Sequence, residues 1–125
     1  MTYLAVASGG AFGALARYLA AGWVQSLAGD FYPWGTMVVN LVGCAVLGFL
    51  MTWFQSTVAS PELRSLVTIG FLGSFTTFST FSYETVAMLR DGEWWRAGGY
   101  LAGSVGIGLV AVWLGMNVAS ALIRR

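Results

Sequence analysis

The amino-acid sequence predicts an all-α membrane protein of four transmembrane helices, the third broken near the bilayer midplane. Three observations carry this. The composition is too poor in charge to cover a water-exposed globule, the charge-free stretches are long enough to cross a bilayer, and the third stretch holds a dense run of hydroxyls. Hydrophobic residues make up 58% of the 125 and charged residues only 9%, against about 25% charged in a typical soluble domain.

No charge lies between Asp30 and Glu62, between Arg64 and Glu84, or between Arg96 and Arg124. Each gap reaches the ~18 residues that signal a membrane helix. Arg17 is the one charge before Asp30. The spans fall at roughly 3–28, 32–56, 63–90 and 97–122, in a single domain over 1–125 with no linker. The first span does not read as a cleavable signal, because it lacks a basic leader and carries an arginine in its middle.

Several function classes drop out. A net charge of +1 gives no footprint for nucleic acid. Cys44 is the single cysteine and histidine is absent, which removes an intrachain disulfide and the usual zinc sites. The Gly-rich stretches lack the strand and downstream acid of a dinucleotide fingerprint.

With four spans, both termini and the 57–62 loop share one side, with Arg64, Arg124 and Arg125; Arg90 and Arg96 lie on the other. Topology normally follows a clear Lys/Arg excess, and here the excess is one residue. Either another signal sets the orientation, or copies insert both ways up and pair about a two-fold axis in the membrane plane, as an antiparallel homodimer. Small-residue pairs suited to close helix approach, Gly9 with Gly13 and Gly99 with Gly103, support packing without naming a partner.

Polar groups at membrane depth are costly. In span 1, Arg17 continues the face of Gly9 and Gly13; it snorkels, caps carbonyls, or draws anions toward a watery vestibule. In span 2, Thr36, Asn40 and Gly43 share a face, and the Asn40 amide either bonds another helix or is offered to an anion. In span 3, six of the nine residues from Ser74 to Ser82 are Ser or Thr. Their hydroxyls bond carbonyls one turn back and loosen a helix, and Gly70 and Gly73 stand just before them, so a break is expected here. A break leaves carbonyls free at one half-helix end, suited to Na⁺, and N–H groups at the next, suited to an anion.

Phe75, Phe78 and Phe81 recur every three residues through the run. Such a stripe is core packing, or a set of positive ring edges offered to an anion. Glu84 closes the run and could pair with Arg17 or Arg90. In span 4, Tyr100 and Ser104 share a face that Gly108 continues without a hydroxyl, while Trp94 and Trp95 read as interfacial anchors. Asn117 lies on roughly the opposite face, with no role assigned.

Three blocks, GGAFGALARY (9–18), GTMVVNLVGCAVLG (35–48) and GFLGSFTTFSTFSYE (70–84), resemble the signature segments of the Fluc (CrcB) fluoride channels. The resemblance implies a dual-topology antiparallel homodimer in the cell membrane with two fluoride pores, exporting fluoride passively. It implies pore roles for Phe78, Phe81, Asn40, Ser79, Thr80, Tyr100 and Ser104, with Arg17 in the vestibule and Glu84 near the end of the broken helix. Thr36 joins these as a supporting group. It further implies a structural Na⁺ at the dimer axis, held by the backbone carbonyls of Gly73 and Thr76. Gly108 departs from members that carry a hydroxyl there. The alternative is a small proton-coupled multidrug-type transporter of dual topology, which needs a buried mid-span acid; Glu84 is the one candidate.

Overall fold

The computed structural model describes residues 1–124, so Arg125 lies outside the described residues. The chain is helical almost throughout: α1 (Thr2–Ala28), α2 (Trp34–Ser56), α3 (Pro61–Arg64), a π-helical segment (Ser65–Leu72), α4 (Gly73–Phe75), α5 (Phe78–Arg90) and α6 (Trp94–Ile123). No strand occurs among the described residues. Helices α1, α2 and α6 are long and apolar enough to cross a membrane. The predicted third span, 63–90, is divided at Thr76 and Thr77, so neither half reaches membrane length on its own.

Each boundary has a local cause. Helix α1 stops at Gly29, whose positive φ of 78° suits a residue without Cβ. The Gln25 side chain then ties the turn: its Nε2 donates to the Gly29 and Tyr32 carbonyls at 2.6 and 2.9 Å, and its Oε1 accepts from Gly35 N at 3.0 Å. Ser60 caps α3 by accepting from Leu63 N at 3.2 Å, with Pro61 at the first helical position, where its missing N–H costs nothing. Trp94 and Trp95 sit in the first turn of α6, three residues before the predicted start, and both are exposed.

Two pairings organise the packing: α2 lies along α6, and α1 lies along the π segment. Both use glycine for close backbone approach. Gly48 and Gly115 face the Val112 and Ala45 backbones across the first pairing, and Gly9 and Gly13 face Leu66 and Phe71 across the second. The Gly9/Gly13 pair thus serves contacts within the chain. The buried core is small, built from Met37, Phe81, Met88, Ala97 and Tyr100. Large apolar side chains such as Phe12, Leu19, Leu109 and Trp113 are exposed along the long helices. An uncovered apolar surface of this extent belongs against lipid or another protein surface.

Candidate functional site

The break in the third span is the centre of the site. Thr76 (φ −87°, ψ 160°) and Thr77 (φ −150°, ψ 115°) are extended between two helical segments. Such an interruption strands the last carbonyls of one half and the first N–H groups of the next, and three side chains repair it. Asn40 clamps Thr77 from both sides: Thr77 N donates to Asn40 Oδ1 at 2.7 Å, and Asn40 Nδ2 donates to the Thr77 carbonyl at 3.0 Å. Arg17 Nη1 donates to the Thr76 carbonyl at 3.2 Å. Thr77 Oγ1 caps α5, accepting from Thr80 N at 3.2 Å and donating to Thr80 Oγ1 at 3.0 Å.

The expected residues divide by role. Asn40 proves to be a helix-to-helix clamp first; one amide hydrogen of its Nδ2 stays outside the clamp, since the group carries two. Arg17 reaches the break and not Glu84. Glu84 pairs with neither arginine: Thr36 Oγ1 donates to its Oε1 at 2.8 Å and Tyr100 OH donates to its Oε2 at 2.6 Å. Two short bonds to a carboxylate satisfy the acid without a counter-charge. Tyr100 is fully buried, with its ring 5.1 Å from Phe81 and edge-on to Tyr32 at 5.5 Å.

A cavity of about 320 Å³ opens at the break, and Asn40, Cys44, Thr77, Phe78, Phe81 and Ser104 are among its walls. Gly73 and Thr76 also border it. Ser79 and Thr80 lie on the exposed start of α5, outside its lining. The aromatic stripe splits three ways. Phe75 stacks on Phe71 (8° between planes), Phe81 is buried at 6% exposure, and Phe78 stands out at 79%. A second cavity of about 520 Å³ lies by the 29–33 and 91–93 turns, with Glu84, Asp30, Asp91 and Arg96 in its walls. There Arg96 pairs with Glu93 and covers the Phe31 ring at 4.2 Å. Asn117 donates to the Trp113 carbonyl at 2.7 Å on an exposed face.

Among the described residues, no three His, Cys, Asp or Glu side chains are placed to hold a metal. The cation-compatible donors are instead carbonyls at the end of α4, where the helix dipole is negative. Among the described residues no backbone N–H from outside its own helix reaches the Gly73 carbonyl, and a carbonyl oxygen suits a hard cation. The Thr76 carbonyl keeps one lone pair beside its bond from Arg17. The donor set fits Na⁺ in kind, but two carbonyls cannot surround an ion.

Thr77 and Gln25 escaped the sequence reading. A Thr three residues ahead of Thr80 at a helix start is a capping signal that could have exposed Thr77. Gln25 carries no such mark, because its partners are loop backbone groups.

An apolar helical chain with three helices long and apolar enough to cross a membrane, and a further broken helix clamped by an amide beside a cavity, defines a helical membrane protein. Residues 4–116 match the family model described as "CrcB-like protein, Camphor Resistance (CrcB)", and the chain belongs to that family. It is 50% identical over 122 residues to a protein of Geobacter sulfurreducens named fluoride-specific ion channel FluC, covering 97% of this chain and 98% of that one. Proteins of the same name from Geobacter metallireducens and Opitutus terrae are 48% and 46% identical, over 95% and 96% of this chain and 97% and 93% of theirs.

Proposed function

We propose that this chain is a fluoride-selective channel that passes fluoride out of the cytoplasm across the cell membrane, as an antiparallel homodimer of four-span subunits inserted in both orientations. The observation that carries the reading is the lining of the cavity at the break: the Asn40 amide, the Ser104 hydroxyl and the Phe78 and Phe81 rings among aliphatic walls, with no charged side chain among the described residues. Donors replace water around a small anion, and positive ring edges of Phe78 and Phe81 add attraction. A fixed cation there would hold fluoride too tightly, since conduction requires binding that is shallow and shared over sites. Full-length similarity to proteins named as fluoride-specific channels supports the choice of ion.

The homodimer is supported by Phe78. A phenyl ring 79% exposed at the edge of a cavity calls for a partner surface, and an inverted copy brings the same surface. That copy would also bring a second pair of Gly73 and Thr76 carbonyls toward the first, completing a Na⁺ site that one chain leaves half-built. Na⁺ would supply positive charge at the broken helix without joining the path. Ser79, Thr80, Tyr100 and Ser104 extend the polar track, while Thr36 and Glu84 support it and Arg17 faces its mouth.

Purified protein in liposomes loaded with potassium fluoride should release fluoride down its gradient when potassium is shunted, and should retain chloride under the same conditions. Equal release of both ions, or none of fluoride, would sink the reading.

A further inference from the structure

The polar side chains of the two long facing helices run in register. On α2, Thr36, Asn40 and Cys44 recur every four residues; on α6, Tyr100, Ser104 and Gly108 do the same. Each set forms a stripe along one face, advancing about 6 Å per step. The stripes meet in pairs. Thr36 and Tyr100 both donate to Glu84. Asn40 and Ser104 line the cavity at the break. Cys44 Sγ lies 3.6 Å from where a side chain at position 108 would begin. At this third rung α6 presents no side chain, and α2 presents a thiol.

The cavity contains a second unexplained polar group. Thr68 and Thr76 also border it, but their hydroxyls donate to the Arg64 and Leu72 carbonyls at 2.8 and 3.0 Å. Ser104 Oγ is shut off from solvent and has no hydrogen-bond partner among the described residues. A buried hydroxyl left unpaired needs an explanation, and a passing ligand in the cavity supplies one. Cys44 shares that cavity.

We propose that Cys44 is the end rung of the anion path in this chain, its S–H donating to the ion at the level where Gly108 offers no hydroxyl. The inference rests on the fluoride-channel reading above. A thiol is a weaker donor than a hydroxyl, so it makes a shallow site, and a shallow site at the end of a path lets the ion leave.

Cys44 is the single cysteine, so the unmodified chain is its own labelling probe. The dimer in fluoride-loaded liposomes is treated with methyl methanethiosulfonate, which forms a methyl disulfide on the thiolate and releases methanesulfinate. Labelling is followed by mass and efflux by a fluoride electrode. The labelled channel should lose most of its efflux and regain it with dithiothreitol, which separates block from unfolding. Cys44→Ala should ignore the reagent and run about fivefold slower, the effect of losing one weak thiol donor to the ion. Cys44→Ser should match or exceed the parent. Full labelling with unchanged efflux would overturn the proposal. So would a thiol that labels only after denaturation, or Ala and Ser variants both equal to the parent. If the parent passes no fluoride, the channel reading itself falls and takes this inference with it; the other outcomes leave that reading standing.

Discussion

The two halves of the third span use the same residue types for different purposes. Before the break, the segment widens into a π-helix, lies in the glycine furrow of α1, and turns its hydroxyls back on itself, Thr68 to Arg64 and Thr76 to Leu72. After the break, α5 is regular and two-faced. There Ser82 and Thr85 also bond back to Phe78 and Phe81, while Thr77 turns its hydroxyl forward as the cap. Phe81, Thr85 and Met88 are buried at helical spacing, while Phe78, Tyr83 and Val86 are exposed. A Ser, Thr or Phe in this run has no fixed role; the backbone state around it assigns one. Thr76 and Thr77 are neighbours, yet one hydroxyl bonds the helix behind it and the other caps the helix ahead.

Asn40 holds the two halves apart at a defined geometry, so its loss should have the largest effect. Asn40→Leu removes both bonds to Thr77 and leaves a buried N–H and carbonyl unpaired, each costing ~1–3 kcal/mol. Fluoride efflux from liposomes should fall to background, with a lower midpoint for thermal unfolding in detergent. An Asn40→Leu channel that conducts normally would show that the break holds without its clamp.

Phe81 and Phe78 sharpen the contrast inside the second half. Phe81→Ala empties a packed site against Tyr100 and should cost ~3–5 kcal/mol of stability. Phe78→Ala touches a ring that is mostly uncovered in one chain, so its subunit should keep its fold. Both should lose efflux if the rings face the ion. Denaturation curves and flux read on the same preparations separate the cases. If Phe78→Ala unfolds as readily as Phe81→Ala, the exposed ring is a packing residue and not a pore residue.

Much of this was legible in the sequence, for physical reasons that differ by residue. Charge gaps mark the helices because a bare charge in hydrocarbon is so costly; the three long helices lie close to their predicted bounds. The break was legible because six hydroxyls and two glycines in one short stretch weaken a helix wherever it sits. Side-chain partners were not. Glu84 looked like half of an ion pair, since arginines were the visible complement. Its real partners, Thr36 and Tyr100, come from two other helices, and only tertiary packing brings them together. The π-helical stretch was hidden as well, because nothing in SLVTIGFL separates it from an α-helix until Gly9 and Gly13 admit its wider backbone.

Thr77 tests the capping half of the comparison. Thr77→Ala removes the acceptor for Thr80 N, a loss of about 1 kcal/mol at a helix N-terminus. Efflux should drop by several-fold without collapse of the fold, and Thr77→Ser should restore it. Failure of Ser to rescue would mean that the Thr77 methyl packs the cavity and the cap is secondary.

Arg17 supplies the smallest expected effect and the finest test of how the first half ends. It makes one bond, from Nη1 to the Thr76 carbonyl, and not the two-pronged contact that distinguishes arginine from lysine. Arg17→Lys should therefore keep efflux within about twofold, since charge and a single donor are retained. Arg17→Gln keeps a donor but drops the charge. If the guanidinium acts mainly as a hydrogen-bonding cap on the α4 end, Gln should resemble Lys. If it acts through charge, by drawing anions or by opposing the dipole of the half-helix, Gln should be clearly slower, and the gap should close as salt screens the field. Flux of the three proteins at low and high ionic strength decides between cap and charge. Lys and Gln variants that both fall far below the parent would contradict both, and would point to the forked shape of the guanidinium as the feature the break requires.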